Sequence, residues 1–343
     1  MIRDAAIEML GSAPVPVSES SRLSDWTTQL RDAFRDPVLL AEHLGIPLAS
    51  LPALSGKSTF PLLVPRAFAD RMERGNPVDP LLLQIWPDHA ELLPTSDEKT
   101  DPVGDGSSVR SPGLLQKYRS RALILTTGAC AIHCRYCFRQ EFPYNQSTPD
   151  WLPRLAYLRD HPEIDEVVLS GGDPLMLGNA ALERIWRALE EIPHLRTLRL
   201  HTRLPVVLPD RVDRDLESLV GSSRLKVAVV IHSNHARELD DQVARAVAKF
   251  RQAGAVVLNQ SVLLARVNDD VEILLALSTR LWEIGVLPYY LHALDRVRGA
   301  GRFFVPDTVA VELVGRLRER TSGYLVPRLV REIEGEPSKT PLA

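Results

Sequence analysis

The sequence predicts an α/β protein whose centre is a partial (βα)6 barrel, with a helical layer before it and an irregular segment after it. Three observations carry this prediction. Between Arg121 and Arg320, short apolar runs alternate with helical segments about six times, the pattern that builds a parallel sheet. The runs are largely apolar, as expected when both faces of a strand are buried. Polar residues gather after the C-terminal end of each run, where a βα-barrel assembles its active site. An open doubly wound sheet is the rival arrangement, but no G-x-G-x-x-G follows the first run, and polar groups after every strand suit convergence on one axis better.

Residues 1 to about 20, with Pro14, Pro16 and several serines, read as a loose tail. Leu23, Trp26, Leu30 and Phe34 recur at helical spacing. Asp36-Pro37 opens a second short helix that Gly45 and Pro47 stop. Pro65 to Arg74 reads as a third helix and Asp79 to Trp86 as a further short turn. The Asp-, Ser-, Gly- and Pro-rich stretch from Pro94 to Pro112 reads as a linker. Three regions follow: a helical region and linker (1–110), a barrel core (111–322) and a C-terminal segment (323–343). In the core, strands are expected at Ala122–Thr127, Glu166–Leu169, Thr197–Leu200, Lys226–Ile231, Ala255–Leu258 and Leu287–Leu291. Helices are expected at Trp151–Arg159, Ala180–Ile192, Asp210–Leu219, Leu239–Ala253, Val271–Ile284 and Thr308–Arg320.

The 343 residues, 45% hydrophobic and 25% charged, have ordinary globular composition. A net charge of −3 gives no bulk electrostatic case for nucleic acid or an anionic membrane. No apolar run approaches the roughly 20 residues of a membrane span. The first ten residues, with Asp4 and Glu8, do not resemble a secretory signal. Clustered cysteines with no others to pair with fit a reducing cytoplasm.

Those cysteines are the only three in the chain, and Cys130-Ala-Ile-His-Cys134-Arg-Tyr-Cys137 holds them within eight positions after the first core strand. Thiolates bind metals. A C-x3-C-x2-C loop can hold three irons of a four-iron cluster and leave the fourth open, whereas electron carriers and structural zinc sites normally take four protein ligands. The plain alternative, three buried core thiols, predicts scattered positions rather than one loop.

This loop, with Tyr136 before its last cysteine, resembles the radical S-adenosylmethionine (SAM) superfamily. Further segments narrow the likeness: Lys117-Tyr-Arg-Ser-Arg121, Leu169-Ser-Gly-Gly-Asp-Pro174, Thr202-Arg-Leu-Pro-Val-Val-Leu-Pro209, His232-Ser-Asn-His235, Asn259-Gln-Ser-Val-Leu-Leu264, Pro288-Tyr-Tyr290, Thr321-Ser-Gly-Tyr324 and Glu336-Pro-Ser-Lys-Thr-Pro341. From about Asp79 to the end, the series resembles the lysine 2,3-aminomutase family, and within it the branch that supplies (R)-β-lysine for elongation factor P.

The resemblance implies a [4Fe-4S] cluster on Cys130, Cys134 and Cys137, with SAM chelated at the open iron and cleaved to a 5′-deoxyadenosyl radical. It implies SAM contacts from Ser170, Gly171, Gly172 and Asp173, where two glycines let backbone approach closely and a carboxylate can receive an ammonium. His232 and Gln260 join them by similarity. Lys339, one of six lysines, matches the residue that forms a Schiff base with pyridoxal 5′-phosphate (PLP); on composition alone it would be a solvated tail charge. Lys117, Tyr118 and Arg121 match the phosphate side of PLP, Arg121 with a bidentate fork. For the substrate L-lysine, Arg139 matches the carboxylate-binding arginine. Asp295 matches one of the two carboxylates that receive the far ammonium, and Glu332 the other, where free-lysine aminomutases carry Asp.

The implied reaction moves the amino group of L-lysine from C2 to C3. The implied setting is a cytoplasmic enzyme with a reductase or flavodoxin-type electron donor, linked to an elongation factor P lysine ligase and elongation factor P; a homo-oligomer is compatible with it. Alternatives are a free-lysine aminomutase of metabolism, a radical SAM enzyme of another class such as a tRNA modifier, an iron–sulfur electron carrier, and a zinc scaffold with His133 as fourth ligand. Many free-lysine aminomutases continue well past the PLP lysine, so the chain's end at Ala343 favours the elongation factor branch.

Overall fold

A computed structural model describes residues 25–55, 60–93, 97–144 and 150–343. The proposed tail, residues 1 to about 20, lies outside them, as does Leu23 at the start of the first expected helix.

Among the described residues ten strands form one sheet, each hydrogen-bonded to its neighbour in sequence. They are β1 Val109–Ser111, β2 Leu114–Tyr118, β3 Arg121–Thr127, β4 Glu166–Gly171, β5 Thr197–Thr202, β6 Lys226–His232, β7 Val256–Val262, β8 Leu287–His292, β9 Arg328–Arg331 and β10 Thr340–Pro341. From β3 to β9 every pairing is parallel. β1 and β2 extend the β3 side antiparallel, and β10 pairs antiparallel with β9. Among the described residues β1 and β10 remain the two edges, so the barrel is open.

The six expected strands are present, several longer by one to four residues at the C-terminal end, so the polar residues read as loops belong to strand ends. Four strands were not expected. β1 and β2 lie in the stretch read as linker and pre-strand segment, and β9 and β10 lie in the segment read as irregular. These are short, and their pairing depends on the edge each meets rather than on an apolar period of their own. The helix expected over Pro65–Arg74 spans only Arg66–Ala69. That expected from Asp210 begins at Arg214, after a 3-10 turn at Pro209–Arg211, because Asp213 caps it by accepting from the Leu216 N–H.

Between strands, helices Asn179–Glu190, Arg214–Gly221, Asp241–Gln252, Val271–Glu283 and Asp307–Arg318 cover the outside, each burying an apolar stripe such as Leu182, Ile185, Trp186 and Leu189. The N-terminal helices, Asp25–Arg31 and Pro37–Leu44, share one apolar core with the barrel: Trp26, Phe34, Leu40, Phe68 and Trp86 belong to the same buried cluster as Leu200, Val206 and Val229. Asp36 caps the second of these helices at the Val38 N–H, and Gly45 ends it in the left-handed region (φ 67°), as the sequence predicts. This layer closes one side of the sheet next to the cysteine loop.

Candidate active site

Every site residue selected from the sequence lines one cavity of about 270 Å³. The strands place them: Arg121 opens β3, Ser170 and Gly171 end β4, His232 ends β6, Gln260 lies in β7, and Glu332 directly follows β9. Lys339 precedes β10, and the pairing of Thr340 with Arg331 brings it back to Glu332.

At one end is the cysteine loop, with Cys130, Cys134 and Cys137 half-buried and free of disulfides. Burial pushes up the thiols of Cys130 and Cys137, the latter to about 11, so loading a metal must release protons here. Among the described residues no three His, Cys, Asp or Glu side chains converge on a single ion. A four-iron cluster does not need that convergence, because each cysteine binds a different iron. The fourth ligand of the zinc alternative is turned elsewhere: His133 Nδ1 meets the Pro61 carbonyl at 2.6 Å and its ring stacks on Phe60.

The two glycines also have close neighbours within the protein. A methyl at Gly172 would sit 2.2 Å from the Ala129 carbonyl oxygen, and one at Gly171 (φ 121°) 2.5 Å from that of Thr127. The close approach is therefore to the cysteine loop, which is docked by N–H donation from Gly172 to Thr127 (2.7 Å) and from Asp173 to Ala129 (2.8 Å). Asp173 is likewise not a free acceptor. Its carboxylate receives the Thr202 hydroxyl at 2.8 and 3.0 Å and the N–H groups of Leu175 (3.0 Å), Arg203 (2.7 Å) and Leu204 (3.2 Å). Burial pushes this carboxyl up, to about 6, against those donors. His232 is held neutral by burial, down to about 3, and its buried Nε2 has no hydrogen-bond partner among the described residues.

The other end is a chain of alternating charges. Arg139 Nε donates to Asp105 Oδ2 (2.7 Å) and its Nη1 to the Ser170 hydroxyl (3.3 Å). Asp105 also pairs with Lys117 (2.8 Å), whose Nζ donates to the Val103 carbonyl (2.7 Å) and lies 3.5 Å from Glu332. Glu332 accepts from the Tyr118 hydroxyl (2.8 Å) and from Lys339. Burial works to raise the Asp105 carboxyl, but Arg139 and Lys117 overcome it and hold it at about 2. Lys339, and after it Lys117, likewise hold Glu332 below the usual range against burial. Lys117, expected at a phosphate, is thus engaged by two carboxylates.

Two charged groups lack such partners. Arg121 lies over the Tyr118 ring (4.1 Å) with no ion pair among the described residues. Asp295 has no side-chain cation in contact, and burial pushes its carboxyl up to about 7, with Lys339 pulling against it. An unpaired guanidinium fits a phosphate, and an unpaired enclosed carboxylate fits a cation.

The cavity also contains residues the sequence reading did not select. Asp105 lay in the stretch read as linker. His201 and His292 stood at positions already marked as strand ends, and Tyr289 and Tyr290 inside the last expected strand, in a segment that carries the resemblance, which was the available signal. Burial holds both histidines neutral. Arg203, next to the cysteines, stood with His201 in the polar end of the third expected strand.

An open parallel barrel with a three-cysteine loop after its first parallel strand defines the radical SAM class of enzyme. The chain is 48% identical over 323 residues to the L-lysine 2,3-aminomutase of Escherichia coli (strain K12), covering 93% of this chain and 94% of that protein. It is 44% identical over 320 residues to that of Haemophilus influenzae, covering 92% and 95%. It therefore belongs to the L-lysine 2,3-aminomutase family, a family of isomerases, and membership implies a [4Fe-4S] cluster, SAM and PLP as cofactors. No family model matches the chain. Among solved structures, a radical SAM methyltransferase from Sphaerobacter thermophilus overlaps 64% of this chain and 68% of its own, at 19% identity and a TM-score of 0.47.

Proposed function

We propose that this chain converts L-lysine to (R)-β-lysine for attachment to elongation factor P, with the residues above in the roles their surroundings allow. The observation that carries the reading is the shared cavity: the cysteines, Lys339 and the charge chain between Arg139 and Glu332 face one space. Once bound, the cluster and SAM supply a 5′-deoxyadenosyl radical, and PLP supplies a π-system for nitrogen migration.

The chain's own residues bind, orient and exclude water. Cys130, Cys134 and Cys137 hold three irons. Gly171, Gly172 and Asp173 set the cysteine loop against β4 and the turn after β5, while His232 and Gln260 line the SAM side. Lys339 is the amine that anchors PLP, with Arg121 free to take its phosphate and Tyr118 and Lys117 on the same side. Arg139, oriented by Asp105, receives the substrate carboxylate. Asp295 and Glu332 receive the far ammonium; Glu332, now paired with Lys339, is released when that lysine turns to PLP. Leu204, Val207, Val262 and Leu294 add apolar surface to the wall, which suits a site that must exclude water from a radical.

The branch that the motif series resembles supports the link to an elongation factor P ligase, a reductase or flavodoxin-type donor, and a cytoplasmic setting. Among the described residues no helix is long and apolar enough to cross a membrane. The test is anaerobic incubation of reconstituted protein with L-lysine, SAM, PLP and a reductant, followed by chiral analysis. Absence of β-lysine refutes the function; the S isomer refutes the stereochemistry and the elongation factor assignment with it.

A further inference from the structure

Arg203 stands against the cysteine loop, and no role above uses its side chain. It follows β5, is 6% exposed, and its backbone is fixed by Asp173. Nη1 donates to Cys134 Sγ and to the Tyr136 hydroxyl (2.7 Å). Nη2 donates to Gln84 Oε1 (2.8 Å) and to Glu238 Oε2 (3.0 Å). Glu238 is fully buried, and its other oxygen accepts from Gln84 Nε2 (3.1 Å) and the N–H groups of Asn234 (3.0 Å) and His235 (3.1 Å). Asn234 in turn donates to Gln84 Oε1 (3.0 Å) and the Tyr136 hydroxyl (2.7 Å). The N-terminal layer, the turn after β5 and the loop after β6 thus lock one guanidinium in place. Its cation faces the sulfur, and its anion lies behind.

We propose that the Arg203–Glu238 pair is a positioning device that sets the reduction potential of the cluster through the N–H···S bond to Cys134. It rests on the cluster assignment above. A buried ion pair is a weak source of stability compared with apolar packing, so its orientation is the informative property. Adding one electron makes the cluster more negative, and a positive dipole end at a ligand sulfur favours that state. Hydrogen bonds to sulfur and net charge are the levers that tune such clusters. The electron comes from an external one-electron reductant, and no protein bond forms or breaks.

The experiment is a redox titration of reconstituted protein without lysine or PLP, the reduced fraction read by electron paramagnetic resonance. Glu238→Gln leaves the cation without its anion and raises the potential. Arg203→Met with Glu238→Gln removes both charges and lowers it, by tenfold in the one-electron equilibrium, about 59 mV. Arg203→Lys keeps the charge but loses the planar fork, giving a near-native potential with an altered spectrum. Wild-type potentials in Glu238→Gln and in the double variant, with four irons bound, overturn the proposal and leave the proposed function standing. If the double variant does not fold, Glu238→Gln alone decides, because Arg203 remains in place. Failure of the wild type to load a cluster overturns both.

Discussion

The two ends of the cavity are built on opposite plans. At the cysteine end, most polar groups near the loop have partners within the protein: Asp173 is saturated by donors, Arg203 and Glu238 are locked by Gln84 and Asn234, and the glycines let the loop dock on β4. At the lysine end the charges are partnered mainly by one another, Arg139 with Asp105, Lys117 with Asp105 and Glu332, and Lys339 with Glu332. The first plan gives a rigid cradle for a cofactor that stays. The second gives a set of internal stand-ins that a charged ligand can displace group by group. The difference teaches that preorganisation is concentrated where position matters most, and exchangeable pairing where ligands come and go.

The largest expected effect breaks one end alone. Lys339→Ala abolishes turnover and the PLP absorbance band while iron content stays at the wild-type level. An unchanged band removes Lys339 from the PLP role. Gly172→Ala is the converse. Its methyl cannot coexist with the Ala129 carbonyl at 2.2 Å, so the loop must shift, at about 1–3 kcal/mol. Iron incorporation falls while PLP binding to Lys339 persists, and full iron loading contradicts the docking role.

A smaller effect sharpens the lysine end. Asp295→Asn removes the carboxylate proposed to receive the substrate ammonium and costs about 2–3 kcal/mol of lysine binding, roughly 30- to 150-fold in Kd. The pH dependence has a defined sign. Burial raises the Asp295 carboxyl to about 7 in the folded protein, from an ordinary 3.8. The ligand-free fold holds this proton where the unfolded chain has lost it, so this group's contribution to stability falls as pH rises from about 4 to about 7, then levels off. Lysine affinity changes the other way, strengthening as pH rises through about 7 and the carboxylate forms. In Asp295→Asn this step is absent from an affinity–pH titration, and its persistence assigns the step elsewhere. The smallest effect is His133→Ala, which leaves iron content unchanged and costs about 1 kcal/mol through the lost Pro61 and Phe60 contacts. Iron loss would reinstate His133 as a ligand.

Much of the fold was legible because its signals are local. The βα alternation, the Asp36 cap and Gly45 stop, and the cysteine spacing are each written within a few residues. Lys339 and Glu332 were identified by resemblance to a known family, not by pattern. Asp105 was missed because it lies in a stretch with turn composition, and only the fold carries it to Arg139 and Lys117. Gly171, Gly172 and Asp173 were found as cavity residues, but their contacts with the cysteine loop and the turn after β5 join segments far apart in the chain, which no local pattern shows. The short strands β1, β2, β9 and β10 have too few residues to show a period.

The sequence by itself determined the order of the six core strands and their helices, the cysteine triad and the polar character of those strand ends, because hydrophobic period and side-chain chemistry are properties of short stretches. Tertiary structure alone decided which charge faces which: that Asp105 holds Arg139, that Arg203 reaches Cys134 with Glu238 behind it, and that β10 returns Lys339 to Glu332. Those pairings join residues up to 69 positions apart, and electrostatic interaction depends on distance through space, which no local pattern records.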